Sequence, residues 1–154
     1  MNISLRNVHE DEFFVLHELA SQCKPLDLHT SYTYWVITHY YKEFCFILEE
    51  EENPVGFITA LVNNSTGFIW QIGILQKYRG QKLSVKLIDS VLCSFQKKGI
   101  HLVQLTISPN NEASYNAFSR YCKNNAYSFQ RLTNELIPDV DIVHTEVVYQ
   151  ITTT

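Results

Sequence analysis

The chain reads as a mixed α/β domain, a central mixed sheet with helices on both faces. Three observations lead there. Short apolar or β-branched runs alternate with segments whose apolar residues recur every three or four positions. Some of these runs are joined by hairpin signals and others by helices, so the sheet must hold both antiparallel and parallel pairs. With 154 residues, 45% hydrophobic and 18% charged, residues 1–154 fit one domain that buries a core without metals or disulfides.

The elements follow in order. Ile3–Val8 has strand character. Phe13, Leu16, Ala20 and Cys23 repeat at helical spacing, so a helix is expected from Asp11 to Cys23, stopped by Pro25. Thr30 to Tyr41 is a second helical segment, rich in aromatics. Cys45–Glu49 and Val55–Leu61 flank the acidic run 49–52 and Asn53-Pro54, which reads as a hairpin turn. Phe68–Leu75 is apolar almost throughout, as in a strand covered on both faces. Leu87, Ile88, Val91, Leu92 and Phe95 form one helical stripe that ends at Gly99. Leu102–Ile107 is a strand closed by Pro109. Asn110 and Asn111 then suit a helix N-cap, with Glu112 in the first turn. Tyr127–Leu132 and Glu146–Thr152 are closing strands. The expected order is β-α-α-β-β-β-α-β-α-β-β.

Composition removes several function classes. A formal net charge of −4 argues against a large nucleic-acid footprint. Cys23, Cys45, Cys93 and Cys122 have no metal-ligand spacing and read as small buried hydrophobes in a reducing compartment. No metal is expected. The N-terminus lacks a signal-peptide core, and no apolar run approaches the ~20 residues of a membrane span. A cytoplasmic location is expected, without membrane partners.

One local feature points to a ligand. Four of the 12 Lys and Arg residues (Lys77, Arg79, Lys82 and Lys86) crowd the join between the Phe68–Leu75 strand and the next helix. A charged loop is usually only a solvated helix start. Yet the helix dipole disfavours cations at a helix N-terminus by ~0.3–1 kcal/mol each. The cluster makes sense if an anion, such as a phosphate or pyrophosphate, sits on the free N–H groups there.

In that loop, Tyr78-Arg79-Gly80-Gln81-Lys82-Leu83-Ser84 resembles the Arg/Gln-x-x-Gly-x-Gly/Ala pyrophosphate loop of the GNAT superfamily of acyl-CoA-dependent N-acetyltransferases. Lys82 stands where the middle glycine is usual, and Ser84 where the last small residue belongs. Further blocks resemble diaminobutyrate acetyltransferases, which acetylate the 4-amino group of L-2,4-diaminobutyrate on the way to ectoine. They are Pro25-Leu26-Asp27-Leu28-His29-Thr30-Ser31-Tyr32-Thr33-Tyr34 with Thr38-His39-Tyr40, Ile69-Trp70-Gln71-Ile72, Thr106–Ser114 and Glu146-Val147-Val148-Tyr149. The blocks keep order and approximate spacing from 25 to 149. Departures are His29 for the usual Asn, a shorter Val62–Gly67 loop, and His144 two rather than three residues before Glu146.

The resemblance implies the GNAT fold, acetyl-CoA as cosubstrate, a small diamine as acceptor, and a homodimer. It assigns Arg79, Gly80, Gln81, Lys82, Leu83 and Ser84 to the pyrophosphate, and backbone N–H groups of Ile72, Gly73 and Ile74 to the thioester oxygen. Gly73 would suit a bulge that admits the pantetheine arm. Asn111 either contacts pantetheine or caps its helix. Phe118 stands seven residues after it, where many GNATs carry a tyrosine general acid and the diaminobutyrate enzymes tend to carry phenylalanine. Asp27 and Glu146 are candidates for holding the diamine, and Glu146 or His144 for accepting its proton. Trp70 can offer its indole face to an ammonium or simply pack in the core. Tyr32 can orient the substrate or pack under its helix. Asp27 can equally cap the helix that follows it. His39 is a further proton-handling candidate, although a histidine among aromatics is more often structural. Two other readings stay open: a GNAT for a polyamine or amino sugar, and a catalytically weak acyl-CoA-binding module.

Overall fold

The computed structural model describes residues 2–24, 26–138 and 145–154. Its elements are β1 (Ile3–Asn7), α1 (Phe13–Gln22), α2 (Ser31–Tyr41), β2 (Phe46–Glu50), β3 (Asn53–Asn63), β4 (Thr66–Ile74), α3 (Leu83–Lys97), β5 (Leu102–Ile107), α4 (Glu112–Asn124), β6 (Ser128–Pro138) and β7 (Thr145–Thr152). Single 3₁₀ turns at Lys42–Phe44 and Gln76–Tyr78 precede β2 and α3. The expected order holds, and β6 extends past the expected Leu132 to Pro138. Among the described residues, no helix is long and apolar enough to cross a membrane.

The strands form one sheet in the order β1-β2-β3-β4-β5-β7-β6. Every neighbouring pair is antiparallel except β4 and β5, which are parallel because α3 connects them. The β2–β3 turn is the two-residue loop Glu51-Glu52, both at positive φ (49° and 72°), a type I′ geometry whose twist matches the strands.

Two cores sandwich the sheet. On one face α3 buries Leu83, Leu87, Ile88, Val91, Leu92 and Phe95, each contributing about 1.5–3 kcal/mol of transfer free energy. Val103, Leu105, Ile107 and Phe118 join them. On the other face, Leu16, Leu19, Ala20, Tyr34 and Ile37 of α1 and α2 pack on Ile47 and Phe57. The helix α2 starts where Thr30 accepts a hydrogen bond from the Thr33 amide, 3.2 Å.

The strand β4 is covered on both faces as expected: Ile69, Ile72 and Ile74 pack against the α3 core, and Trp70 packs against the core under α1 and α2. No residue of it is exposed, although Phe68, Trp70, Ile72 and Ile74 are only half-buried. One expectation needs correction: Cys23, Cys45 and Cys122 are buried as free thiols, but Cys93 is exposed on α3.

Candidate active site

The site begins with a fault in β4. Thr59 pairs with Gln71 but Ala60 pairs with Ile69, so Trp70 has no partner on β3. This is a β-bulge, and it lies at Trp70 and not at Gly73, which pairs regularly with Phe57. Gly73 is small for another reason. A Cβ there would stand 2.8 Å from the Phe57 ring and 3.1 Å from Cys23 Sγ. The bulge changes which residues face which core. Before it, Ile69 packs with the α3 core. After it, Trp70 and Gln71 both face α1 and α2, while Ile72 and Ile74 return to the α3 side.

At the same point the sheet opens. The parallel ladder of β4 and β5 runs from Thr66–Leu102 to Ile69–Leu105 and goes no further among the described residues. Beyond it, Trp70–Ile74 present a main-chain edge without a strand partner on the β5 side. The N-termini of α3 and α4 stand at this carboxyl end of the two strands, the usual position of a ligand crevice in such sheets. A cleft of about 500 Å³ lies beside it, lined by Ile107, Ser108, Pro109, Asn111, Tyr115 and Tyr149 among others.

On the α1/α2 face, Trp70 sits 5.4 Å from the Tyr34 ring and 4.8 Å from His29, centroid to centroid. Tyr34 is fully buried, and its hydroxyl donates to Gln71 Oε1 at 2.9 Å. Burial pushes the Tyr34 pKa up, so the hydroxyl stays protonated and keeps donating. Gln71 passes the chain on, donating from Nε2 to the Asp27 carbonyl at 2.8 Å. The Asp27 side chain stands in an exposed position beside this network. It does not cap α2, because Thr30 fills that role. Across the opening, Thr106 alternates with the core residues Leu105 and Ile107, so it shares the Trp70 face. Its hydroxyl donates to Glu146 Oε1 at 3.3 Å. Thus Trp70, Asp27 and Glu146 belong to one face of the sheet.

Tyr32 is placed differently. It is 72% exposed and stacks on Trp35, which stacks in turn on His39. Tyr34, two positions on, is the tyrosine that meets Trp70. Sequence reasoning missed both Tyr34 and Gln71. The available signal was Gln71 itself, because an amide inside the apolar run FIWQIGIL must find buried partners. His144 lies outside the described residues.

On the cofactor side, α3 starts at Lys82 without a side-chain cap and without an acidic residue in its first turn. Its first N–H groups are therefore left for a ligand. Gly80 and Lys82 both hold positive φ, 79° and 60°. Gln81 is exposed, Ser84 is half-buried, and Leu83 points into the core. Lys77 lies over the Tyr78 ring at 5.5 Å. Arg79 has taken a second role: Nε donates to the Ile74 carbonyl at 2.9 Å and Nη2 to the Lys24 carbonyl at 3.0 Å. Of its five N–H donors, three remain for an anion. Asn111 caps α4, accepting from the Ser114 amide at 3.1 Å, and also lines the cleft. Phe118 is 2% exposed and belongs to the core. Tyr115, one turn earlier, reaches the cleft and packs against Tyr149.

The comparisons with known proteins agree with this geometry. Residues 7–123 match the Acetyltransferase (GNAT) family. The chain is 30% identical over 120 residues to the L-2,4-diaminobutyric acid acetyltransferase of Halomonas elongata, covering 75% of this chain and 62% of that protein. It is likewise 30% identical over 120 residues to the enzyme of that name from Marinococcus halophilus, covering 74% and 70%. The chain thus spans about 62% of the length of the first of these relatives. Among solved structures, it superposes on the diaminobutyrate acetyltransferase of Paenibacillus lautus in complex with L-2,4-diaminobutyric acid and coenzyme A. The TM-score is 0.87 at 22% identity, over 99% of this chain and 95% of that one. The bulged β4, its parting from β5 and the family match together show that this chain belongs to the GNAT acetyltransferase family and has its fold.

Proposed function

We propose that the chain is an acetyl-CoA-dependent N-acetyltransferase for the 4-amino group of L-2,4-diaminobutyrate, acting as a single domain in the cytoplasm and as a homodimer. The observation that carries the acceptor reading is the grouping of an indole face and two carboxylate residues, Trp70, Asp27 and Glu146, on one face of the sheet around the opening between β4 and β5. The relatives with curated names support it.

The residues present fit acetyl-CoA. The uncapped start of α3, with Gly80 and Lys82 in the left-handed region and three donors of Arg79 to spare, suits a pyrophosphate. Successive N–H groups of a strand alternate sides, and Gly73 turns its own toward β3, so those of Ile72 and Ile74 on the open β5 side are the ones that can face the thioester oxygen. Acetyl-CoA supplies the activated acetyl group.

An alkyl ammonium has a pKa near ~10.4, so releasing its proton at pH 7 costs about 4–5 kcal/mol. Glu146 is the proton acceptor in this reading, with Thr106 holding one of its oxygens. Trp70 stabilises the cationic acceptor by ~0.5–2 kcal/mol. Asp27 holds the second amine. His144 stands as the next candidate base. Steady-state kinetics with L-2,4-diaminobutyrate test these roles. Asp27→Asn should raise the amine KM, by about tenfold or more, and leave the acetyl-CoA KM near wild type. Glu146→Gln should lower kcat by ~10²-fold, with partial recovery at high pH where the amine is already neutral. Wild-type kinetics in both variants would remove these carboxylates from the site.

A further inference from the structure

Two side chains grip the segment that carries Asp27, and they come from different parts of the site. Gln71, on the bulge of β4, donates to the Asp27 carbonyl at 2.8 Å. Arg79, in the loop before α3, donates to the Lys24 carbonyl at 3.0 Å and to the Ile74 carbonyl at 2.9 Å. Arg79 thus ties the end of β4 to the segment after α1. Gln71 is itself fixed by the buried Tyr34 hydroxyl. Neither Lys24 nor Asp27 belongs to a helix or strand, so no regular ladder satisfies their carbonyls and the Arg79 and Gln71 side chains do so instead.

We infer that Arg79 and Gln71 are positioning residues for Asp27, and that Arg79 couples the anion-binding loop to the acceptor pocket. This deepens the diamine reading and rests on it. The physical argument is pre-organisation. A carboxylate on an unpinned loop must be ordered when the ammonium binds, and the ordering weakens the amine. Two hydrogen bonds at the flanks remove that freedom in advance. Arg79 presents the two carbonyls with Nε and one terminal nitrogen, which leaves three donors for an anion. Binding there stiffens the same guanidinium that holds Lys24. By reciprocity, acetyl-CoA then tightens the amine and the amine tightens acetyl-CoA by the same factor.

Arg79→Lys keeps the charge and loses the fork, and Gln71→Leu keeps the volume and loses both hydrogen bonds. Each should raise the amine KM roughly three- to tenfold at saturating acetyl-CoA, with kcat within about twofold. In the Asp27→Asn background, Arg79→Lys should add almost nothing to the amine KM, because the group it positions is already gone. Effects confined to acetyl-CoA affinity, or an amine effect that adds in full to Asp27→Asn, would overturn the inference. A second readout needs no turnover. Amide hydrogen exchange in peptides covering residues 24–30 of the free protein should accelerate in both variants while exchange in α3 stays as in wild type. Unchanged exchange at 24–30 would refute the clamp even if the acceptor proved to be another amine. Conversely, faster exchange there in an enzyme inactive on the diamine would leave the clamp standing and sink the substrate reading alone.

Discussion

At the scale of single residues, Lys82 sits in a strained backbone conformation. It holds φ 60° and ψ 24° at the start of α3, where a Cβ crowds the following carbonyl at a cost of roughly 1–2 kcal/mol. The family's usual glycine has no such penalty. Lys82→Gly should therefore raise Tm by about 2–4 °C, part of the relief being offset by the greater freedom of glycine in the unfolded chain. The same variant should show a shallower salt dependence of acetyl-CoA binding, since one cation leaves the anion site. A Tm at or below wild type, measured by thermal denaturation, would show that the lysine fits its backbone without strain. The residue scale is also where the sequence was least legible. The pyrophosphate loop could be aligned letter by letter, but nothing in those letters said that Arg79 would reach the Lys24 carbonyl. Tyr32 and Tyr34 differ by two positions on a helix, which turns them to opposite sides; the aromatic-rich α2 hides which one faces the sheet. Asp27 was a plausible cap in the sequence, and only the geometry shows that Thr30 fills that role.

At the scale of elements, the join of β1, α1 and β2 is held by charge. The Arg6 guanidinium donates to both Glu12 oxygens at 2.7 and 2.8 Å and to Glu49 Oε1 at 2.9 Å. Arg6 holds the Glu12 carboxyl below the usual glutamate range, against the opposing effect of partial burial. The sign follows from linkage. A depressed folded-state pKa contributes stability above the ordinary glutamate value of about 4.3, and that contribution is lost as pH falls through the lower, folded value. Glu12→Gln should destabilise by about 1 kcal/mol at pH 7, and the gap to wild type should shrink below pH ~4 in denaturant titrations. A gap independent of pH would mean that Glu12 acts by packing alone. Elements were largely legible because periodicity reports them directly. The Leu87–Phe95 stripe and the Leu102–Ile107 strand both stand where expected. The bulge was expected at Gly73 and formed at Trp70. Glycine marks permissiveness of the backbone, whereas a register fault belongs to the pair of strands and leaves no mark on one of them.

At the scale of the whole molecule, mixed order and hairpin signals gave the sheet class, but not the strand order. The placement of β7 between β5 and β6 depends on pairing across distant segments. That placement matters, because it brings Glu146 beside Thr106 and hence to the opening where β4 leaves β5. The account's central claim is that this opening selects a short diamine. The most direct measurement is a competition. The protein is incubated with acetyl-CoA and equal concentrations of L-2,4-diaminobutyrate, a polyamine and an amino sugar, and mass spectrometry and NMR identify which amine gains the acetyl group and where. The account predicts acetylation of L-2,4-diaminobutyrate at its 4-amino group, with matching release of coenzyme A and little product from the competitors. Preferential acetylation of the polyamine or the amino sugar, or no acetylated amine at all, would contradict it.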